Sequence, residues 1–249
     1  MELTWVGHAT ALMDFDGYRV LTDPLLTKRV AHLRRRQALP PADHHDVDLV
    51  LLSHVHLDHL HLPSLKRLRP TARIITPAGS ARLLSKAGFT DVTEVRVGTV
   101  ISAGPVTVEV VPAAHKHGRG PHSRVTAEPV GYIVGGAGTR IYFPGDTDLF
   151  EGMADFDGID VALLPIWGWG STLGVGHLNP ERAARATQLI RPRILVPIHW
   201  GTYAPEDGRR RPRWFDTPPE QLRDSLAEIG ELHRLGLVAP GESMTVASR

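Results

Sequence analysis

Val47-Asp-Leu-Val-Leu-Leu-Ser-His-Val-His-Leu-Asp-His59 decides how this chain is read. Its first half is a mostly apolar run of strand length. Its second half packs His54, His56, Asp58 and His59 into six residues. Alternation along an extended chain puts His54 and His56 on one side. A turn after Leu57 brings Asp58 and His59 round to a second position. Imidazole nitrogens and carboxylate oxygens are the donors that divalent metals take, and this arrangement suits two adjacent cations better than one.

The same pattern, an apolar strand running into a His or Asp, recurs three times outward from this run. Residues 106–111 lead to His115, residues 140–143 lead to Pro144-Gly145-Asp146, and residues 193–197 lead to Ile198-His199. Strand ends at one edge of a layered sheet are where ligands converge. Together the four segments supply five His and two Asp. That donor set favours Zn²⁺ and also accommodates Mn²⁺ or Fe.

The remaining pattern predicts many short strands first, at 2–6, 9–15 and 18–22, the last two joined by the hairpin signal Asp16-Gly17. Residues 24–46 read as a long loop with room for a short helix. A short helix at 62–68, a strand at 73–76 and a helix at 80–87 stopped by Gly88 follow. Strands are expected at 90–97 and 106–111, a His- and Gly-rich active-site loop at 115–129, and a hairpin of 130–134 with 139–143 around Gly135-Gly136. Strands at 161–165 and 194–197 flank a helix opened by Asn179-Pro180-Glu181 and running to about Ile190. Thr217-Pro-Pro-Glu220 reads as a capping box for a helix ending before Gly230, and 244–246 as a final strand. No repeat or linker divides the chain. The expectation is one domain over 1–249, with two β layers covered by helices.

Composition narrows the function classes. The chain has 249 residues, 42% of them hydrophobic, a net charge of +1, no cysteine and 14 histidines. A near-neutral chain has no global field drawing it to nucleic acid. The lack of cysteine excludes disulfides, thiolate ligands and thiol nucleophiles. No apolar run approaches the roughly 18 residues of a membrane span. The opening Met-Glu-Leu-Thr-Trp-Val-Gly lacks a basic region followed by an apolar core, so a cytoplasmic location is expected.

The order His-x-His-x-Asp-His, then His, then Asp, then His resembles the metallo-β-lactamase superfamily over nearly the whole chain. The resemblance implies an α/β fold, the four-layer αβ/βα sandwich in which two β-sheets are flanked by helices. It implies a first metal on His54, His56 and His115, a second on Asp58, His59 and His199, and Asp146 bridging the two. Trp5-Val-Gly-His-Ala-Thr10, Leu21-Thr-Asp-Pro24, Gly145-Asp-Thr147 and Pro197-Ile-His-Trp-Gly-Thr202 are similar to the branch with ascorbate-6-phosphate lactonase and the phospholipase D acting on N-acyl-phosphatidylethanolamines. By that likeness Asp23 is a candidate extra ligand, and His177 a candidate catalytic residue facing the substrate. After Pro165 the chain departs from the branch, with Ile-Trp-Gly-Trp-Gly-Ser-Thr-Leu-Gly.

Two divalent ions, two aspartates and a bridging hydroxide leave a net charge of about +1, which favours a small anionic substrate. Metals of this kind lower the pKa of bound water to about 7, so hydroxide is available at neutral pH. Asp58 is the candidate to orient it and take its proton. The expected activity is hydrolysis of a phosphodiester or other anionic phosphoryl ester, with a lactonase or other carbonyl ester or amide hydrolase as the alternative. A non-catalytic metal- or nucleic-acid-binding protein would require a missing ligand or a large basic face. The pattern leaves the oligomeric state open.

His8 follows Gly7 and reads either as a residue that Gly7 lets approach the site or as a satisfied turn histidine. His32, His44, His45 and His233 are expected to be solvent-exposed, His61 to be a support or surface residue, and His117 and His122 to lie on the substrate loop. Lys28-Arg29, Arg34-Arg35-Arg36 and Arg209-Arg210-Arg211 read as phosphate contacts or solvated loops. Trp167, Trp169 and Trp200 read as pocket lining or core.

Overall fold

The computed structural model describes residues 1–120, 123–205 and 213–248. The N-terminal strands β1 (Glu2–Gly7), β2 (Thr10–Phe15) and β3 (Tyr18–Thr22) form an antiparallel meander buried on both faces. The expected loop at 24–46 contains two short strands, β4 (Arg29–Val30) and β5 (Leu33–Arg35), and a 3-10 turn at Ala42–His45. Then come β6 (Leu49–Leu51), α1 (Leu62–Leu65), β7 (Arg73–Pro77), α2 (Ala81–Lys86) and β8 (Val92–Val95). The second half holds β9 (Val100–Ala103), β10 (Val106–Pro112), β11 (Val130–Gly136), β12 (Thr139–Phe143), β13 (Val161–Pro165), α3 (Pro180–Ile190) and β14 (Ile194–Ile198). It closes with β15 (Tyr203–Pro205), α4 (Arg213–Asp216), α5 (Pro218–Glu228) and β16 (Ser243–Thr245).

Two large sheets result, ordered β16-β1-β2-β3-β6-β7-β8 and β14-β13-β12-β11-β10-β9. Their facing sides share one core, in which Trp5, Met13 and Leu51 of the first sheet meet Tyr132, Phe143 and Leu163 of the second. The outer face of the first sheet packs Val50 and Ile74 with Leu65 of α1 and Leu84 of α2. The outer face of the second packs Tyr142 and Leu164 with Ala183 of α3 and Leu222 of α5. The layering is therefore α, β, β, α, as expected for the αβ/βα sandwich. Among the described residues no helix is long and apolar enough to cross a membrane.

Several boundaries differ from expectation for local reasons. β15, β5 and β4 form a small third sheet, hidden from the sequence because β4 and β5 are only two and three residues long and β15 lies far along the chain. β9 escapes notice because half its residues are exposed. The β11–β12 turn falls at Ala137-Gly138, one step beyond Gly135-Gly136, which pair with Arg140 and Thr139. Asn179 caps α3 as expected, its side chain accepting from Arg182 N. Thr217 does not cap α5. α4 runs straight into it, so Thr217 is already helical and its hydroxyl donates back to Arg213 O.

Candidate metal centre

The metal-type residues gather at one edge of the sandwich. β10, β12, β13 and β14 run parallel to one another, so their C-terminal ends share that edge. His115 lies three residues past β10, Asp146 three past β12, and His199 directly after β14. His54 stands three residues beyond β6 rather than on its end. Two bonds from the opposite sheet pin this stretch: Tyr132 Oη donates to Leu52 O (2.7 Å) and Val130 N to Ser53 O (2.9 Å). A turn then closes, with Leu60 N on His56 O (2.9 Å), and carries Asp58 and His59 round. Arg119 Nη1 clasps both ends of that turn through Val55 O (2.8 Å) and Leu60 O (3.1 Å). Gly145 is required where it stands. Its φ is +64°, and a Cβ there would lie 2.2 Å from Ser53 Oγ.

Two donor groups result. His54 Nε2 lies 3.0 Å from His56 Nδ1, which lies 3.1 Å from His115 Nε2. In the second group His59 Nε2 is 3.2 Å from His199 Nε2, and Asp58 Oδ2 is 3.8 Å from His59 Nε2. Asp146 reaches both: Oδ2 is 3.3 Å from His59 Nε2 and 3.9 Å from His115 Nε2, while Oδ1 is 3.1 Å from His199 Nε2. Tetrahedral coordination at 2.0–2.1 Å would separate ligand nitrogens by about 3.3 Å, close to these spacings.

The outward hydrogen bonds test whether a cation fits. Ser53 Oγ donates to Asp23 and so accepts from His54 Nδ1 (2.9 Å). Asp23 Oδ2 accepts from His59 Nδ1 (2.7 Å), Gly176 O from His115 Nδ1 (2.6 Å) and Trp167 O from His199 Nδ1 (2.9 Å). Each outer nitrogen thus carries its ring's proton, and the inner nitrogens turn lone pairs toward one another. Burial pushes His54 well below the usual imidazole range, His56 to about 4, His115 down, and His199 to about 3. These four rings therefore bring no second proton to the centre. Converging lone pairs need a positive charge among them, and Asp146 Oδ1 accepts no hydrogen bond among the described residues. The residues fit divalent metal.

Burial alone would raise the two carboxylates, but His59 and His8 outweigh it at Asp58, and His199, His59 and His177 at Asp146, holding both well below the usual range. His59 goes the other way: despite burial, Asp146, Asp58 and Asp23 raise it well above the usual imidazole range.

The other predicted site residues fall as follows. Asp23, fully buried, has Oδ1 on Ser53 N (2.7 Å) and Oδ2 shared by Ser53 Oγ and His59 Nδ1. It forms a close set with His54 and His59. His177 places Nε2 3.5 Å from Asp146 Oδ2, with Nδ1 on Gly174 O (3.1 Å). It borders a cavity of about 180 Å³ with His199, Gly168, Trp169, Thr172 and Leu173. His8, buried, has Nε2 3.1 Å from Asp58 Oδ2.

His32 and His233 are exposed as expected, His32 edge-on to Trp169 with centroids 5.1 Å apart. His44 and His45 are half-buried instead, because the 3-10 turn folds them against the body. His61 is buried and bonded to Ser64 Oγ (2.8 Å). His117 is exposed, and its carbonyl accepts from Ala127 N. Trp200 packs on Trp5, centroids 5.2 Å apart, whereas Trp169 is exposed at the cavity. Of the basic runs, Arg35 is neither solvated nor open to phosphate: it is buried on Val6 O, Leu25 O and Ala38 O. His122 and Arg209–Arg211 lie outside the described residues. Sequence reasoning missed Ser53, Arg119 and the carbonyls of residues 167–176, since a backbone acceptor leaves no residue-type signal.

Two sheets between helices carry a His/Asp cluster at the strand ends, and the relatives that share this frame show the class, a metal-dependent hydrolase. The chain belongs to the metallo-β-lactamase superfamily, a family model described as the beta-lactamase superfamily domain matching residues 18–200. It is 32% identical over 248 residues to a UPF0173 metal-dependent hydrolase of Methanopyrus kandleri, covering 98% of this chain and 99% of that one. It is also 32% identical over 226 residues to an N-acyl-phosphatidylethanolamine-hydrolyzing phospholipase D of Caenorhabditis elegans, covering 80% of this chain but 64% of that protein. Among solved structures, a metallo hydrolase from the archaeon Ignicoccus hospitalis shares the fold, with a TM-score of 0.73, 24% identity, and 98% and 97% of the two chains covered.

Proposed function

We propose that the protein is a dinuclear hydrolase of a phosphodiester or other anionic phosphoryl ester. The observation that carries this reading is the position of Asp146, one carboxylate within 3.9 Å of His115 on one side and within 3.3 Å of His59 on the other. His54, His56 and His115 would hold one cation, Asp58, His59 and His199 the other, and Asp146 both, with Zn²⁺ favoured by the all His/Asp set and Mn²⁺ or Fe admitted. Asp23 stands outside this set, because both its oxygens are engaged and its partner on His59 is the outward Nδ1. When bound, such ions activate water near neutral pH and polarise the oxygen of the group attacked.

The chain's own residues supply the rest. Asp58, held ionised, is the acceptor for the proton that water loses. His177, with Nδ1 fixed on Gly174 O, turns Nε2 toward the centre and the cavity, where it can donate to the leaving oxygen. Water adds to phosphorus as its proton passes to Asp58, the bond to the leaving oxygen breaks, and His177, carrying a proton on each nitrogen, gives the Nε2 proton to the departing alcohol and regains one as Asp58 releases its own. The phospholipase D relative supports phosphoryl chemistry. The cavity beside the centre supports a second reading: apart from His177 and His199 its lining is uncharged, which suits a lactone or other carbonyl ester.

A panel of bis(p-nitrophenyl) phosphate, a sugar-phosphate lactone and an N-acyl phospholipid tests the reading on metal-loaded protein. Phosphodiester turnover that disappears on chelation and returns with metal is expected. Strong lactone turnover without phosphodiesterase activity would favour the second reading.

A further inference from the structure

We infer that His8 is a positioning residue for the second donor group, aiming Asp58 through its side chain and His199 through its backbone. The inference rests on the reading that Asp58 and His199 face one cation.

His8 lies in the turn between β1 and β2, just after a register shift at Trp5/Gly7. Its φ is +55°, the left-handed region, which non-glycine residues occupy only when the surroundings enforce it. Here they do. His8 N donates to Thr202 Oγ1 (2.8 Å), and His8 O accepts from both Trp5 Nε1 (2.9 Å) and His199 N (2.9 Å). His199 is left-handed as well, with φ +62°. The two strained residues therefore hold each other, and His8 fixes where β14 delivers its histidine.

The side chain does a second task. The His8 ring lies on His199, centroids 3.9 Å apart, and edge-on to Tyr203 at 5.8 Å, leaving it 3% exposed. From that slot Nε2 donates to Asp58 Oδ2 at 3.1 Å. Asp58 sits on a turn, and its side chain is 15% exposed. Among the described residues, no other side chain is recorded in a hydrogen bond to it. Asp23 performs the same service for His59, so each sequence neighbour in the second group has its own orienting partner. A turn at this place would tolerate Gly or Asn. Imidazole is what reaches the carboxylate.

Two variants separate the roles. His8→Asn keeps a residue compatible with the left-handed turn but is too short to reach Asp58. His8→Gln places an amide donor at about the reach of Nε2. Each would be loaded with Co²⁺ and assayed for metal content, affinity by chelator competition, visible absorption spectrum, and kcat and KM on bis(p-nitrophenyl) phosphate. His8→Asn should keep two cobalt ions, bind the second about 10–100-fold more weakly, show a changed spectrum, and lose kcat with little change in KM. His8→Gln should restore most of each. A His8→Asn protein with native affinity and spectrum would overturn the inference, and so would loss of the second cobalt in both variants, which would make His8 a ligand. If the unaltered protein binds only one cobalt, the dinuclear reading fails instead, and the Asn–Gln difference in spectrum still decides the role of His8.

Discussion

His59 Nδ1 lies 2.7 Å from Asp23 Oδ2, and both side chains are wholly buried. The bond fixes the His59 tautomer and turns Nε2 toward Asp146 and His199. Partners of this kind typically contribute 10–100-fold to metal affinity. Asp23→Asn should therefore weaken metal binding by about that factor in chelator competition while the protein stays folded. Unchanged affinity would show that the bond is incidental. Complete loss of one metal equivalent would make Asp23 a ligand after all.

His177 is the more exposed of the two histidines that border the cavity, 23% against 2% for His199, and lies 3.5 Å from Asp146. A group that donates to the leaving oxygen contributes roughly 10²–10⁴-fold. His177→Ala should lower kcat on bis(p-nitrophenyl) phosphate by about 100-fold with two metal equivalents retained. Loss of metal in that variant would reject its role outside the ligand set.

Residues 167–176 hold three site histidines by carbonyls alone: Trp167 O on His199, Gly174 O on His177 and Gly176 O on His115. Gly176 has φ +92°, and a Cβ on it would lie 3.1 Å from His115 Nδ1. Gly176→Ala should displace His115 and weaken metal binding by about 10-fold or more, with little change in the melting temperature of the metal-free protein. An equal fall in both would point to a general folding defect.

Arg119 bonds the carbonyls on either side of the metal-bearing turn. Hydrogen bonds to a charged donor contribute about 1.5–3 kcal/mol, reduced here because the side chain is half-buried. Arg119→Met should cost about 1–2 kcal/mol in denaturant unfolding and raise amide exchange at residues 56–60. Unaltered protection there would remove the clasp from the account.

The fold and the clustered His and Asp residues were legible because His115, Asp146 and His199 follow apolar strands, a pattern that period and residue type both record. Asp146 and His199 follow β12 and β14 in this way, and the four residues of 54–59 declare themselves by spacing. What holds them was not legible. Arg119 acts on backbone oxygens, Ser53 is one unremarkable hydroxyl, and the loop after Pro165 works through carbonyls that any residue offers. The pairing of Tyr203 with Arg35 depends on contacts across most of the chain. Thr217 failed as a cap because the preceding turn of helix, not the local four-residue pattern, set its backbone.

Removal of metal should be felt in stability as well as turnover. At free metal about 100-fold above Kd, each site adds about 2.7 kcal/mol, and each kcal/mol is worth roughly 2–4 °C of melting temperature in a chain of this size. Chelation should lower Tm by about 5 °C or more, reversibly. A melting curve indifferent to chelator and to added Zn²⁺ would mean that the lone pairs of His54, His56 and His115 are not satisfied by a cation.

The dinuclear claim is tested most directly by metal analysis of the purified, dialysed protein while it is active on bis(p-nitrophenyl) phosphate. The two donor groups joined by Asp146 predict two equivalents of divalent metal per chain. An active protein with a single equivalent, or with none, would contradict that claim.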